Sequence, residues 1–507
     1  MSDELTTSPE LAPKHLLSAF SILALLLFCA YAAIDLSAAS HLTHSLRDLV
    51  TGYFDWLLLG TAGIVLLLAL GLLFHPCGRI VLGNEDEKPE FSRLSWFAML
   101  FSAGLGPGLL YWGTAEPITH LGGNPYLALT GAEAGTVDAG MPAMVVTIFH
   151  WGLHGWGMYV IGGLAIAIGA YRYNRPLTFS TALVPLLGEK TVAGPTGTCI
   201  DMIALLGTVF GVATSIGLTV GIMNASIEPL TGLTFSLENQ ISFLVVVACL
   251  GVFSAISGVA RGIRRLSEIN VWISLALLII FVLIGPTWFQ LSTLLENFFA
   301  YAAAVIPMGF YMAGDDAGTR WQSGWTVFYW GWWLAWTPFV ALFVARISRG
   351  RTIREFIFGV LFAPTLIVII WMSVFGGTAI FAELAQPGSI STAAAQDYSL
   401  AMAATIKTLP LAEIHAVLFL IVSFLLFTWL ITSLDSATLV ICHMLNVDQI
   451  VSMKVLWGFM LSAVAGTLLI IGGIEALQAG SIIIGLPMAL VMLLVVAALT
   501  RWVFGQH

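Results

Sequence analysis

Gly104-Leu105-Gly106-Pro107-Gly108 stands in the middle of an apolar run of helix-forming length. Three glycines and a proline within five residues remove one backbone donor and weaken the helical ladder, which predicts a break. Close packing by small residues is the alternative, and Gly104 and Gly108 do have the i, i+4 spacing it needs. Pro107 and the additional Gly106 favour the break. What such a break means depends on the surroundings. The chain has 507 residues, of which 59% are apolar and 9% charged, with a mean hydropathy of +0.95. An ordinary globular chain is about 25% charged, so 19 basic and 28 acidic residues cannot coat a soluble surface of this size. A soluble enzyme, a nucleic-acid binder and a disordered scaffold are all excluded; no nucleic-acid partner is expected. The chain is an all-α integral membrane protein, and unwound backbone at membrane depth is tolerated only where it lines a cavity or is buried in protein.

Crossing the hydrocarbon layer takes about 20 mostly apolar residues. Twelve such segments centre near Leu26, Ile64, Leu105, Trp156, Gly211, Val246, Leu278, Leu334, Ile367, Phe424, Val464 and Val491. The first, Leu16 to Ile34, reads as a span rather than a removed signal peptide. Leu291 to Met312, with Glu296 and Pro307, suits an interfacial helix, and Phe381 to Glu413 is expected outside the bilayer. One set of alternate loops holds Lys14; Arg79, Lys88, Arg93; Arg172, Arg175, Lys190; Arg261, Arg264, Arg265; Arg346, Arg349, Arg351, Arg354; Lys454; and Arg501. The other set holds only Arg47, Arg320 and Lys407. The positive-inside rule therefore places both termini in the cytoplasm. Five scattered cysteines suggest neither a disulfide framework nor a metal site.

Two aromatic clusters accompany the expected break. Trp325, Trp330, Trp332, Trp333 and Trp336 lead into Thr337-Pro338 in the eighth span. Trp321 and Trp325 read as membrane-interface residues, whereas Trp332, Trp333 and Trp336 lie deeper, ahead of a proline expected to loosen the helix. The eighth span is five after the third. Two interrupted helices so placed point to a secondary transporter of two inverted five-helix repeats, with its site at their interface. In the fourth span Trp156 and Tyr159 share a helix face; Trp151, five residues before Trp156, reaches that side loosely or through an irregularity among the glycines. Such aromatics pack more often than they bind, but together the clusters suggest a box holding an alkylated cation by cation–π attraction. No Asp or Glu lies inside the third, fourth or eighth span, and Glu116 falls in an expected external loop. A bare cation would want an opposite charge there. A zwitterion would not, provided amides near Gly104 to Gly108 receive its carboxylate.

These segments resemble the betaine/choline/carnitine transporter family over roughly 56–484. The carriers of the resemblance are Trp325-Thr-Val-Phe-Tyr-Trp-Gly-Trp-Trp-Leu-Ala-Trp-Thr-Pro-Phe-Val340 and Ala345-Arg-Ile-Ser-Arg-Gly-Arg-Thr-Ile-Arg-Glu355. Gly113-Thr-Ala-Glu-Pro117, Phe149-His-Trp-Gly-Leu-His-Gly-Trp156 and Thr432-Ser-Leu-Asp-Ser436 are similar to its other motifs. The resemblance implies twelve helices with a neurotransmitter:sodium symporter-like repeat, a homotrimer, and a bacterial cytoplasmic (inner) membrane. On that reading, 1–14 is a cytoplasmic tail, 15–80 two peripheral helices and 95–285 the first repeat. An interfacial helix and loop occupy 286–324, the second repeat 325–500, and a short tail 501–507.

The resemblance places a substrate box on Trp151, Trp156, Tyr159 and Trp333, with Trp336 deeper and Gly104, Leu105, Gly106 and Gly108 around it. Choline carriers of the family commonly have an aspartate where this chain has Gly108, which favours glycine betaine or dimethylsulfoniopropionate, with carnitine open. The implied Na⁺ site is Thr432 and Ser433 with backbone carbonyls near Ser102 and Leu105; a second site, using Thr208, meets Val212 where a threonine would stand. Hydrogen bonding of Thr432 and Ser433 to their own helix is the alternative. Proton-coupled choline uptake or exchange is the rival coupling. His150 and His154 form an i, i+4 pair without a third metal ligand, Asp435 is assigned to support of the Thr432 region, and Arg346 to Arg354 to anionic membrane lipid.

Overall fold

The computed structural model describes residues 14–104, 106–257 and 260–505. Among these no β-strand forms; Val81 and Thr352 make a single antiparallel bridge. Among the described residues eleven helices are long and apolar enough to cross a membrane. The difference from the twelve expected segments arises at three places. Thr287–Gly309, expected to be interfacial, also meets the length and hydropathy of a span. The third segment is divided into Arg93–Gly104 and Pro107–Gly122, each too short to qualify. Val451–Phe504 is two helices joined at Gly472 and Gly473, where Gly473 takes φ 57° and ψ −133°, a conformation that glycine alone adopts readily. Between the first two spans the chain adds the 18-residue helix Leu36–Tyr53, which the reading of 15–80 as two helices lacked.

The third segment breaks at its glycines, as expected. Gly106 is extended (φ −155°, ψ 173°), and Pro107 opens the second half at the first helical position, where a missing N–H costs nothing. The eighth segment does not break. Thr326–Arg346 runs through Thr337-Pro338 as one helix, with the Thr337 hydroxyl donating to the Trp333 carbonyl at 2.8 Å. The second interruption lies in the fourth segment instead, where Gly140–Trp151 and Leu153–Tyr173 meet at Gly152.

Thr326–Arg346 packs against Leu153–Tyr173, Pro195–Thr231 and Val451–Phe504, so the core surrounds the tryptophan-rich helix. Large apolar side chains on the outer helices, among them Phe20, Trp272, Leu283, Trp288 and Phe299, are exposed; only hydrocarbon would cover such a belt at low cost. The basic loops gather at one end. Arg351 is buried, donates to Glu355 (2.7 Å) and Phe91 O (2.9 Å), and lies 4.1 Å over the Trp96 ring. Arg172 donates to Val81 O (3.2 Å), Arg349 pairs with Glu87, and Lys14 pairs with Asp201 at 2.6 Å. Burial pushes the Glu87 carboxyl up, but the Asn84 amide and the Arg349 guanidinium outweigh it and hold it below its usual value. That pair stays ionised at neutral pH.

Candidate functional site

The two interruptions open on one cavity. Gly106, Pro107 and Gly108 line it from the first break; Trp151, Trp156 and Tyr159 from the second; Trp332, Trp333 and Trp336 from the eighth segment; and Ser433 from the tenth. In an unbroken helix, Trp151 and Trp156 would project about 140° apart. Gly152 removes that disagreement. Its backbone (φ −96°, ψ −136°) leaves the helix, and the Tyr301 hydroxyl accepts the Leu153 N–H at 2.8 Å. A Cβ on residue 152 would collide with that hydroxyl and stand 2.7 Å from the Ile148 carbonyl, so the position requires glycine.

Most of the rings meet edge to face, with Trp333 tilted against Tyr159. Trp333 lies 4.9 Å from Tyr159 and 5.9 Å from Trp156, and Trp156 lies 5.4 Å from Tyr159 at 88°. Trp151 stands 5.8 Å from Trp332 and 6.2 Å from Trp333. Their N–H groups are used to hold them. Trp333 Nε1 donates to His150 O (2.8 Å), Trp336 Nε1 to Gly211 O (2.8 Å) and Ser215 Oγ (3.1 Å), and Trp332 Nε1 to Gly211 O (3.3 Å). Trp156 Nε1 is buried without a partner among the described residues. Among the described residues no carboxylate lines the cavity. The first-turn amides of Pro107–Gly122 open here, at the positive end of that helix.

Gly106, Gly108, Trp151, Trp156, Tyr159, Trp333 and Trp336 thus line one cavity. Gly104 ends the first half-helix. Leu105 and the Ser102 side chain lie outside the described residues. Ser433 lines the cavity, whereas Thr432 faces its own helix, donating to Thr428 O (3.1 Å) and Trp429 O (3.0 Å). Ser215, Val340 and Val368 were not anticipated in the lining; they carry no pattern that separates them from ordinary packing residues.

Glu116 corrects the reading most. It lies in the Pro107–Gly122 helix, fully buried, rather than in an external loop. Its Oε1 accepts from His150 Nδ1 (2.6 Å) and His120 Nε2 (3.2 Å), and its Oε2 from Trp151 Nε1 (2.9 Å) and the Tyr329 hydroxyl (2.5 Å). A 20-residue window centred on Leu105 ends just before it; the signal available was an i, i+4 carboxylate–imidazole pair, Glu116 and His120, on one helix face. Glu116, His120 and His150 offer ligand atoms within 4.8 Å of one another, so His150 has companions other than His154. The His154 ring nitrogens have no partner among the described residues; that ring stacks on Trp330 at 5.5 Å. Trp325 is buried against His120 (4.6 Å) and Trp112 (5.5 Å) instead of marking the interface.

The family model described as BCCT, betaine/carnitine/choline family transporter, matches residues 16–506. The glycine betaine transporter OpuD of Bacillus subtilis is 38% identical over 492 residues, covering 96% of this chain and 94% of that protein. Glycine betaine transporter 1 of Vibrio parahaemolyticus is 38% identical, covering 91% of this chain and 88% of its own. The osmo-dependent choline transporter BetT2 of Acinetobacter baylyi is 34% identical, covering 98% and 72%.

Proposed function

Since the chain belongs to the betaine/carnitine/choline family of transporters, we propose that it imports a methylated zwitterion, glycine betaine or dimethylsulfoniopropionate, by Na⁺ symport. The observation that carries this reading is a cavity walled by aromatic rings with no carboxylate among the described lining residues. A trimethylated head gains from the rings. The carboxylate end gains from first-turn amides and from Trp156 Nε1, a buried donor without a partner among the described residues. Relatives named as glycine betaine transporters support the same substrate class.

Thr432 and Ser433, with Ser102 and Leu105, hold the coupling ion on this proposal. The Thr432 hydrogen is engaged by its own helix, which leaves its lone pairs open to a cation. Ser433 and the Gly106 break share the cavity, so an ion between them would bias the same segment that positions the substrate. Twelve spans in two inverted repeats, 95–285 and 325–500, with both termini cytoplasmic, belong to the same proposal. The gathering of the basic loops at one end supports that orientation. Assembly as a homotrimer in a bacterial inner membrane follows from the family likeness alone.

The test is uptake of radiolabelled glycine betaine into proteoliposomes carrying a sodium gradient, a proton gradient or neither. Uptake driven only by sodium is expected. Uptake that follows the proton gradient and ignores sodium overturns the coupling, and preference for choline over both zwitterions overturns the substrate class.

A further inference from the structure

Among the buried titratable groups, Glu116 is one that the transport reading leaves without a role. Four groups converge on its two oxygens, and a carboxylate has about four lone-pair sites to offer. The indole N–H is a donor, and all four partners are satisfied when the phenol and the imidazole nitrogens facing the carboxylate are assigned as donors to an ionised Glu116; His150 Nε2 is then assigned as acceptor from the Thr326 hydroxyl at 3.0 Å. His120 Nδ1, without a partner, is left as the bare nitrogen of a neutral ring. The set is satisfied by an ionised carboxylate beside two neutral histidines, and among the described residues no Lys or Arg pairs with it. A buried charge with hydrogen bonds but no opposite charge is costly.

Glu116 does not line the cavity, but Trp151 connects the two. The indole N–H points at Glu116 Oε2 (2.9 Å), while the far end of the ring lies beside Gly108, where a Cβ would come within 2.8 Å of Trp151 Cη2. We propose that Glu116 is the counter-charge of the substrate's onium group, acting through the Trp151 ring without touching the substrate. An indole that donates to a carboxylate carries more electron density on its faces, which strengthens attraction to a cation. The fixed charge behind it adds a direct field. This proposal rests on the onium-substrate reading and deepens it: discrimination between a cation head and an uncharged head of the same shape comes from behind the wall. It also removes the need for a carboxyl side chain gripping the onium.

A pair of unit charges about 9 Å apart at an effective dielectric of about 20 changes binding roughly twentyfold. Glycine betaine and 3,3-dimethylbutanoate differ by one positive charge, since carbon replaces nitrogen, so the ratio of their dissociation constants isolates that charge. The ratio is measured by calorimetry or competition on the purified protein and on Glu116→Gln and Glu116→Asp. In Glu116→Gln the preference for betaine is expected to shrink roughly twentyfold. In Glu116→Asp, which keeps the charge and shortens the reach, both affinities fall while the ratio stays within about threefold of wild type. Equal loss of both ligands in Glu116→Gln overturns the proposal and leaves Glu116 a mere prop for Trp151. Where Glu116→Gln does not fold, a collapsed ratio in Glu116→Asp overturns it equally. Wild-type protein that binds neither ligand refutes the substrate reading and this proposal with it, whereas betaine binding with an unaltered ratio refutes this proposal alone.

Discussion

Gly155 lies outside the cavity, yet its substitution is expected to damage the site more than that of many residues lining it. It sits on Leu153–Tyr173 with the Trp333 ring laid against its Cα. A Cβ there would stand 2.7 Å from Trp333 Cε3 and closer still to Cδ2 and Cε2. Carbon atoms rest at about 3.5–4.0 Å, so Gly155→Ala obliges the ring to retreat by about an ångström. The ring has little freedom to do so, because its Nε1 is tied to His150 O at 2.8 Å and its face to Tyr159 at 4.9 Å. A desolvated cation–π contact is worth about 2 kcal/mol. Losing half to all of it weakens betaine binding about 5- to 30-fold, with overpacking removing about 1–3 kcal/mol of stability. Gly157→Ala is the matched control on the same helix, since its Cβ would meet Leu66 Cα at 3.5 Å, an ordinary contact. Betaine dissociation constants from tryptophan fluorescence, with thermal unfolding of the ligand-free proteins, read both effects. Wild-type affinity in folded Gly155→Ala, or equal losses in the two variants, refutes the placement of Trp333 in the cage.

Gly108→Ala would bring a methyl 2.8 Å from Trp151 Cη2 and 3.5 Å from Trp332 Cη2; the half-saturation concentration for betaine should rise at least about tenfold, and unaltered uptake kinetics would show that the cage lies elsewhere. Thr432→Ala combined with Ser433→Ala should raise the half-saturating sodium concentration while betaine affinity at saturating sodium stays within about twofold. Sodium dependence identical to wild type in uptake assays would remove both hydroxyls from the ion site.

The parts of this molecule legible in the sequence are those governed by local backbone chemistry. The segment breaks at Gly106 because a helix continued through Pro107 would lose a ladder bond and crowd the proline ring against the preceding turn, and that rule operates without any neighbour. Pro338 looked like the same device and was not. It lies in a helix packed on three others, and tertiary contact kept Thr326–Arg346 continuous where propensity alone favoured loosening. Gly152 was legible only as one glycine among several, because its need for glycine arises from Tyr301, 149 positions further on. Trp151, Trp156, Tyr159 and Trp333 were legible as aromatics at suggestive spacing; what joins them is an interruption whose position the spacing could only hint at. Glu116 was missed because hydropathy windows treat an acidic residue as the end of a span, whereas a carboxylate surrounded by four donors can lie deep within one.

The same network bears on how the site opens. Glu116 belongs to the helix that follows the first interruption, His150 and Trp151 to the helix that precedes the second, and Tyr329 and Thr326 to the tryptophan-rich helix. One carboxylate therefore ties together the ends of three segments whose residues wall the cavity. Because Arg93–Gly104 starts at the basic loops and Pro107–Gly122 leads away from them, the tie lies between the cavity and the opposite end. There it is backed by Trp325, which packs against both Trp112 and His120. The hinges, in contrast, lie at the cavity itself, at Gly106 and Gly152, where backbone is free of the helical ladder. Opening toward the end away from the basic loops pulls on the four bonds to Glu116, whereas opening toward the basic loops leaves those four in place and strains the Arg351, Arg349 and Lys14 contacts instead. On the counter-charge proposal, an onium group on the cavity side of Trp151 strengthens the charge balance of the tie, so bound substrate favours the movement that keeps the tie intact.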